Sequence, residues 1–508
     1  MFSSITPFAK AINFFTQNVW LTVLWKNAIV HTGFVFELCH FLRKKEVRMK
    51  EESLVRSLAT LAIPIICINL LQITYQLTDA FWVGRLGANA VASVSVSFPI
   101  TFLLVSIVSG FSVAGSALVA QYVGARNWKK VNHVTAQAFF LVTCSSIILG
   151  IVGWCISPFL LRLMGVAPEV FLNALRFLRV LFLGLPFMFG FTVFQSVMRG
   201  TGQVKVPMVI IMGTTTLNFL LDPLFVFGWG SIPAFGVSGA AMATFGTQAL
   251  AAIIGFCLLL RGKYIIHLTL SDFVPDTAFL KDLFLLGLPA SLEQSLRSLG
   301  ILVMTFLIAS FGTVVTAAYG VGSSVLQVIT IPALGLSMAA SVLVGQNIGA
   351  GNIERAEDTA ILGAGISFVF LSFVGILSFV FAPDIVRFFV PNDAEVIRQG
   401  AVFLRIMAFS FGFLGAQMSL SGVFRASGNM LIPLMFSIVS LWMLQFPIAY
   451  ILSMHTSLHS VGIWWAFPVS YVLTALLAII WFLKGDWKKK RLIEEKEATD
   501  VLIENTGL

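Results

Sequence analysis

Ser116–Asn127, SALVAQYVGARN, returns as Ser341–Asn352, SVLVGQNIGAGN, an offset of 225 positions. Pro64 in AIP and Pro289 in GLP share that offset. Arg199-Gly200-Thr201-Gly202 and the later Pro207 recur as Arg425-Ala426-Ser427-Gly428 and Pro433, at 226. Three landmarks at one spacing are hard to obtain by chance, so the chain reads as two copies of one unit. Working outward from them, apolar runs long enough to cross a bilayer, about 20 residues each, fall near 57–82, 92–123, 134–160, 170–198, 206–228, 236–260, 281–310, 316–347, 358–382, 396–424, 431–453 and 461–483. Each copy therefore holds six spans, an even number, and both copies run in the same direction. Parallel halves of this kind enclose a cavity and place a substrate site near the midplane, as in secondary transporters. The predicted fold is an all-α membrane protein of twelve transmembrane helices in two pseudo-symmetric six-helix lobes. The lobes cover 54–265 and 266–485, between an N-terminal extension (1–53) and a charged tail (486–508).

Composition agrees. The chain has 508 residues, 58% of them hydrophobic and 11% charged, with a mean hydropathy of +0.94, which excludes a soluble protein. The net charge of +9 is a topology signal and not a nucleic-acid one. Arg43, Lys44, Lys45, Arg48 and Lys50 precede the first span, Arg126, Lys129 and Lys130 follow the second, and Arg199 and Lys205 follow the fourth. Arg261, Lys263 and Lys281 follow the sixth, and Lys484, Lys488, Lys489, Lys490 and Arg491 the last. The intervening loops hold little beyond Arg85, Arg162 and Arg387, so the positive-inside rule makes both termini cytoplasmic. Cys39, Cys67, Cys144, Cys155 and Cys257 show neither CxxC nor metal spacing and predict packed thiols without a disulfide framework. Residues 1–48 are aromatic and basic, with no run of spanning length. They read either as an interfacial amphipathic helix or as a segment upstream of a true start at Met49.

Asp79 lies in ITYQLTDAFWVGRLG, Ile73–Gly87, inside an apolar segment. A carboxylate within a membrane is costly and is read by default as functional; the alternative is a charge near the helix end that pairs structurally. Asn218 and Asp222, in LNFLLDPLFVFG (Leu217–Gly228), are four apart and share one face of the fifth helix. Pro223 removes a donor and clashes with the carbonyl of Phe219, freeing another oxygen nearby. Carboxylate, amide and loosened carbonyl form a hard oxygen set suited to a small cation. Projected through the repeat, Asp79 falls on Met304 and Asp222 on Ile448. The acids belong to one half only, which favours specialised chemistry over a packing role.

The stretch from about 54 to 485 resembles the multidrug and toxic compound extrusion (MATE) transporters, and within them the DinF-like branch. The resemblance rests on Pro64 with Asp79 fifteen positions on, the two QxxGAxN-type loops, and LNFLLDPLFVFG. It implies a twelve-helix antiporter that exchanges Na⁺ or H⁺ for organic, usually cationic, drugs while two lobes rock between outward- and inward-open states. It also implies a cation site in the first lobe made of Asp79, Asn218, Asp222 and a threonine, here Thr244 in GAAMATFGT. In such proteins a bend at the counterpart of Pro64 accompanies protonation; Gln195 stands where relatives often carry an asparagine; and some relatives use a glutamate in the helix that here holds Glu293.

Read by themselves, several of these residues keep two meanings. Pro64 is a moving bend or a static kink, since Pro289 holds the same place in the half without acids. Tyr75, one turn before Asp79, is in range to hydrogen-bond it. Thr192 and Gln195 line a cavity or serve as interhelical glue. Glu293 and Arg297, four apart, form an internal ion pair, or Glu293 faces the cavity unpaired and attracts cationic substrate. His455 and His459 have no cysteine or carboxylate nearby and read as chance. No GxxxxGK[ST] is present, so ATP is not the expected energy source.

The expected function is thus a cation-coupled exporter of organic, mostly cationic, drugs or toxic metabolites, with small organic cations or other amphipathic drugs as its partners, and no enzyme. It needs no cofactor beyond its coupling ion, works as a monomer in a bacterial cytoplasmic membrane, and has no nucleic-acid partner. Na⁺ held by Asp79, Asn218, Asp222 and Thr244, and protons carried by the same acids, are both open. A lipid-linked precursor flippase of the same superfamily is the alternative among transporters, although Arg297 is the main cationic candidate it offers. A polytopic membrane transferase is the alternative of another class; the chain shows no Asp-rich metal motif and no His/Asp/Ser constellation.

Overall fold

The computed structural model describes residues 47–230, 233–262 and 264–492. The chain divides into two units, 1–57 and 58–508; of the first, only the start of a helix at Val47 is described, so both readings of residues 1–48 lie outside the described residues. The helices are α1 (Val47–Gly84), α2 (Ala88–Gly124), α3 (Trp128–Leu163), α4 (Pro168–Gly200), α5 (Lys205–Phe227), α6 (Val237–Leu260), α7 (Thr277–Ala309), α8 (Thr313–Gly349) and α9 (Ile353–Val380). After these come the short α10 (Ala382–Phe389), α11 (Ala394–Ala408), α12 (Phe411–Ala426), α13 (Leu431–Met454) and α14 (Ser460–Lys484). The middle of α13, Ile438–Gln445, is π-helical. No β-strand is found among the described residues. This is what hydrocarbon demands, because a helix satisfies its backbone groups internally.

Eleven of the helices are long and apolar enough to cross a membrane, or twelve if α11 and α12 count as one span. The chain is a multi-pass integral membrane protein. The single span predicted at 396–424 is corrected to two helices bent by 54°. Ser410, fully buried at the break, turns its hydroxyl back onto the Met407 carbonyl at 2.8 Å. Gly412 next to it lets α9 approach so closely that a Cβ would lie 2.2 Å from the Ser372 hydroxyl. Ser and Gly together are a known cause of sharp helix bends. At Pro64, by contrast, α1 runs on without interruption.

Each repeated residue of the two loops has a physical task. Asn127 caps α3 by accepting from the Lys130 N–H at 3.1 Å, and Asn352 caps α9 by accepting from the Arg355 N–H at 3.1 Å. One residue earlier, Arg126 and Gly351 both take positive φ, 57° and 75°, a turn that costs arginine more than glycine. Gly124 and Gly349 mark where α2 and α8 cross: a Cβ on the first would sit 1.9 Å from the Gln346 carbonyl oxygen, and one on the second 1.9 Å from that of Gln121. Gln121 donates its side-chain amide to the Ala426 carbonyl at 2.7 Å, and Gln346 donates to the Gly200 carbonyl at 3.0 Å. The contact is reciprocal, each half of the chain gripping the other's repeat of the R-G/A-T/S-G turn. Gly124→Ala and Gly349→Ala are therefore expected to force the two helix ends apart, read as a longer distance between spin labels on the α2–α3 and α8–α9 loops.

The halves also meet along α2 and α7. Gly110 lies against the Ser291 backbone, the Ser291 hydroxyl donates to the Ile107 carbonyl at 2.5 Å, and Ser106 and Ser298 join at 3.1 Å. Small residues permit such approach in membranes. Leu58, Leu61 and Ala62 of α1 pack with Leu336, Ala339 and Ala340 of α8. By chain direction, the Ser106–Ser298 contact lies near the middle of the helices, and the others lie in the half of the molecule nearer the basic loops, here termed the basic end. The segment between α6 and α7 is pinned by Gln137 of α3, which donates to the Asp272 and Val274 carbonyls at 3.0 and 2.8 Å. Asp276 caps α7 by accepting from the Phe279 N–H at 3.1 Å; this bond, with His133 beside it, holds its carboxyl below the usual carboxylate range.

The expectation of packed thiols is corrected. Cys144, Cys155 and Cys257 are exposed and Cys67 is half-buried; Cys39 lies outside the described residues. Where the solvent is hydrocarbon, burying an apolar side chain in protein brings no hydrophobic gain.

Candidate cation-coupling site

The side chains of α1, α5 and α6 converge on one buried cluster. Asn218 and Asp222, one turn apart on α5, are both fully buried, and the Asn218 amide donates to Asp222 Oδ1 at 3.2 Å. The Thr244 hydroxyl of α6 donates to Asp79 Oδ2 at 2.9 Å. The carboxyls of Asp79 and Asp222 and the Asn218 amide face one another. Three oxygens of this cluster, Asp79 Oδ1, Asn218 Oδ1 and Asp222 Oδ2, are shut away from the surface with no hydrogen-bond partner. A buried polar atom left unpaired costs about 1–3 kcal/mol, more if charged, so three converging acceptors call for a positive charge or protons among them. Among the described residues no group of three His, Cys, Asp or Glu side chains is placed to hold a metal ion. The donor set here is two carboxylates with an amide and a hydroxyl, hard oxygens that fit Na⁺ as well as a shared proton.

Tyr75 does not bond Asp79. Its hydroxyl pairs with Thr247 and lies 3.4 Å from the Thr244 carbonyl, so the expected contact is replaced by a link from α1 to α6 behind the acid. Thr247 was not singled out from the sequence, although it lies one turn from Thr244 on the same face. Toward the end of α1, Trp82 packs between Phe81, Phe219 and Phe227 at ring distances of 5.0, 5.9 and 6.2 Å.

The remaining candidates stand apart from the cluster. Thr192 turns its hydroxyl onto the Met188 carbonyl of its own helix at 2.9 Å, and Gln195 is half-buried one turn before Arg199. Glu293 is not an unpaired acid: it is buried and accepts from Arg425 Nη2 at 2.5 Å, with Arg297 Nη2 farther off at 3.6 Å. Its main partner comes from α12, not from its own helix. Arg425 escaped the reading of charges because it entered only as a landmark of the repeat.

The family profile MatE matches residues 64–224 and 289–451, two segments that start at the repeated prolines. The chain belongs to the MatE family. It is similar to the probable multidrug resistance protein YoeA of Bacillus subtilis, 30% identical over 88% of this chain and 96% of that one. It is similar to the probable multidrug resistance protein NorM of Thermotoga maritima, 26% identical over 91% and 98%. Among solved structures it resembles a crystal structure of MATE in the bent conformation, with a TM-score of 0.81 at 25% identity over 88% of this chain and 99% of that one. It also resembles the outward-facing conformation of a multidrug resistance MATE family transporter, at 0.78 and 25%, over 85% and 96%.

The acids of this MATE chain have no counterpart in its second half. Met304 is buried in an apolar cluster against which Ile448 packs, so the position of Asp79 is taken by core. The asymmetry gives Thr244 a defined test. Thr244→Val keeps the shape but leaves both oxygens of Asp79 without a donor; a hydrogen bond to a charged group contributes about 1.5–3 kcal/mol, and the initial rate of transport in proteoliposomes is expected to fall by roughly tenfold or more.

Proposed function

We propose that the chain is a cation-coupled antiporter that exports amphipathic organic cations by alternating access, with Asp79, Asn218, Asp222 and Thr244 as its coupling site. The observation that carries this reading is the set of three orphaned buried oxygens on Asp79, Asn218 and Asp222, present in one half of a repeated fold. In the membrane such a set is stable only when charge-balanced. Binding Na⁺ or protons removes the imbalance, and an ion shifts the protein between conformations to the extent that it binds one of them better. Relatives described as multidrug resistance proteins support the substrate class.

The same reading takes the basic end as cytoplasmic, in a bacterial inner membrane. The lobes, 54–265 and 266–485, are then closed toward the cytoplasm in this structure, since the hydrogen bonds of Gln121, Gln346 and Ser291 join them there. Efflux of a fluorescent organic cation from proteoliposomes tests the proposal, with a Na⁺ gradient and a pH gradient imposed separately. Efflux driven by one of them establishes antiport and identifies the ion. If neither gradient moves dye, the assignment fails.

A further inference from the structure

The last described residues cross from one half of the molecule to the other. After α14, Gly485 takes a left-handed turn, φ 78°, and leads into a 3₁₀ turn, Asp486–Lys488. Trp487 is completely buried in the second half, stacked on Phe482 at 5.2 Å, with its indole N–H donating to the Phe482 carbonyl at 3.2 Å. Lys488 Nζ reaches Glu357 Oε1 of α9 at 2.7 Å. These contacts anchor the start of the tail to its own half. Leu492 then lands elsewhere. Its backbone N–H donates to Gln121 Oε1 of α2 at 2.9 Å, and its side chain packs onto the core cluster built mainly from α2, α3, α4 and α6. The Leu492 side chain also lies against Gly428 of the second half, where a Cβ would lie 2.4 Å from Leu492 Cδ2, and Lys490 borders a cavity of about 270 Å³ shared with Asp282, Pro289 and Met430.

Gln121 is the residue that gives this crossing its meaning. It is fully buried, its amide N–H donates to Ala426 across the interface, and its amide oxygen accepts from the tail. The tail thus completes the hydrogen bonding of the side chain that holds the two halves together.

We propose that residues 485–492 form a strap that holds the basic end shut, and that release of Leu492 from Gln121 is a required step of its opening. The proposal rests on the alternating-access reading. Separating α2 from Ala426 while Leu492 stays on Gln121 would pull the tail away from Trp487 and Lys488, so the strap must let go at one end. The second-half anchorage, a completely buried indole with its hydrogen bond, a ring stack and an ion pair, has to be dismantled for the tail to follow α2, whereas release at Gln121 breaks the backbone bond of Leu492; Leu492 is the end that yields.

The test uses the full-length protein, freed of native cysteines, in lipid nanodiscs, with spin labels at Trp128→Cys and Ala350→Cys on the two loops that flank the crossing. One strap variant deletes residues 490–508; the other, Leu492→Pro, keeps the full length and removes the N–H that Gln121 accepts together with the leucine side chain. Both keep Trp487 and Lys488. Relative to the parent, each is expected to raise the ratio of long to short label distances about tenfold, which corresponds to roughly 1.4 kcal/mol. If the parent opens on adding ethidium, Na⁺ or acid while the strap variants open no further, the strap is overturned and alternating access stands. If the deletion opens the protein but Leu492→Pro does not, the Gln121 contact is not the latch and the proposal is overturned. If neither parent nor variants open under any of these conditions, alternating access fails and the strap with it.

Discussion

Asp222→Asn is expected to abolish ion-driven efflux while leaving the protein folded. The substitution is isosteric, and the Asn218 amide can still donate to the new side-chain oxygen as it now does to Asp222 Oδ1. What disappears is the charge, and with it the capacity to take up a proton or balance Na⁺. Losing an interaction of about 3 kcal/mol in the coupled step slows it roughly a hundredfold, and Asp79→Asn should behave alike because the two carboxyls face each other in one cluster. Stability is expected to move the other way. Each variant removes one anionic charge from a site where Asp79 Oδ1 and Asp222 Oδ2 have no donor, so thermal unfolding in detergent should occur at the same temperature as the parent or higher. Mutants that carry dye down an ion gradient at parental rates would remove these acids from the mechanism.

The second large effect concerns Arg425. Glu293 is almost completely buried, and its carboxylate is held by Arg425 at 2.5 Å, with Arg297 the more distant partner at 3.6 Å. Arg425→Met leaves that charge buried with the weaker partner alone. Breaking a buried pair from one side costs about 3–5 kcal/mol, whereas replacing both partners with apolar groups is often nearly neutral. Arg425→Met is therefore expected to lower the unfolding temperature markedly, and the double variant Glu293→Leu/Arg425→Met to recover most of the loss. Equal destabilisation by the single and double variants would show that the pair is not what Arg425 contributes. If Glu293 instead recognised cationic substrate directly, the double variant would be stable yet unable to bind dye, so a dye-binding measurement beside the melt separates the two roles.

The cluster of Asp79, Asn218, Asp222 and Thr244 was largely legible because its chemistry is local and out of place. A carboxylate at Asp79 and an Asn218–Asp222 pair at helical spacing stand out in an apolar sequence, and Thr244 followed from the family resemblance. Tyr75, Thr247 and Glu293 were different. The Tyr75 hydroxyl had two acceptors in reach of its helix position, and which one it takes depends on how α1 and α6 pack. Glu293 had an arginine four residues away, the spacing that favours an ion pair within a helix, yet a tertiary contact 132 positions along the chain supplies the shorter bond. The α11–α12 break was hidden for a similar reason: Ser410 and Gly412 suit a continuous apolar helix in composition, and the bend arises where α9 presses against them.

The sequence by itself determined the number of repeats, their parallel orientation, the membrane class and the half that carries acids, because these depend on periodicity, hydropathy and the high cost of charge in hydrocarbon. The tertiary structure alone decided which polar groups find each other across helices: Gln121 with Ala426 and Leu492, Gln346 with Gly200, Arg425 with Glu293. Helix positions restrict a side chain to a face, but hydrogen bonds are satisfied or orphaned over tenths of an ångström, and that distance is set by how closely the glycines at 110, 124 and 349 let neighbouring backbones approach.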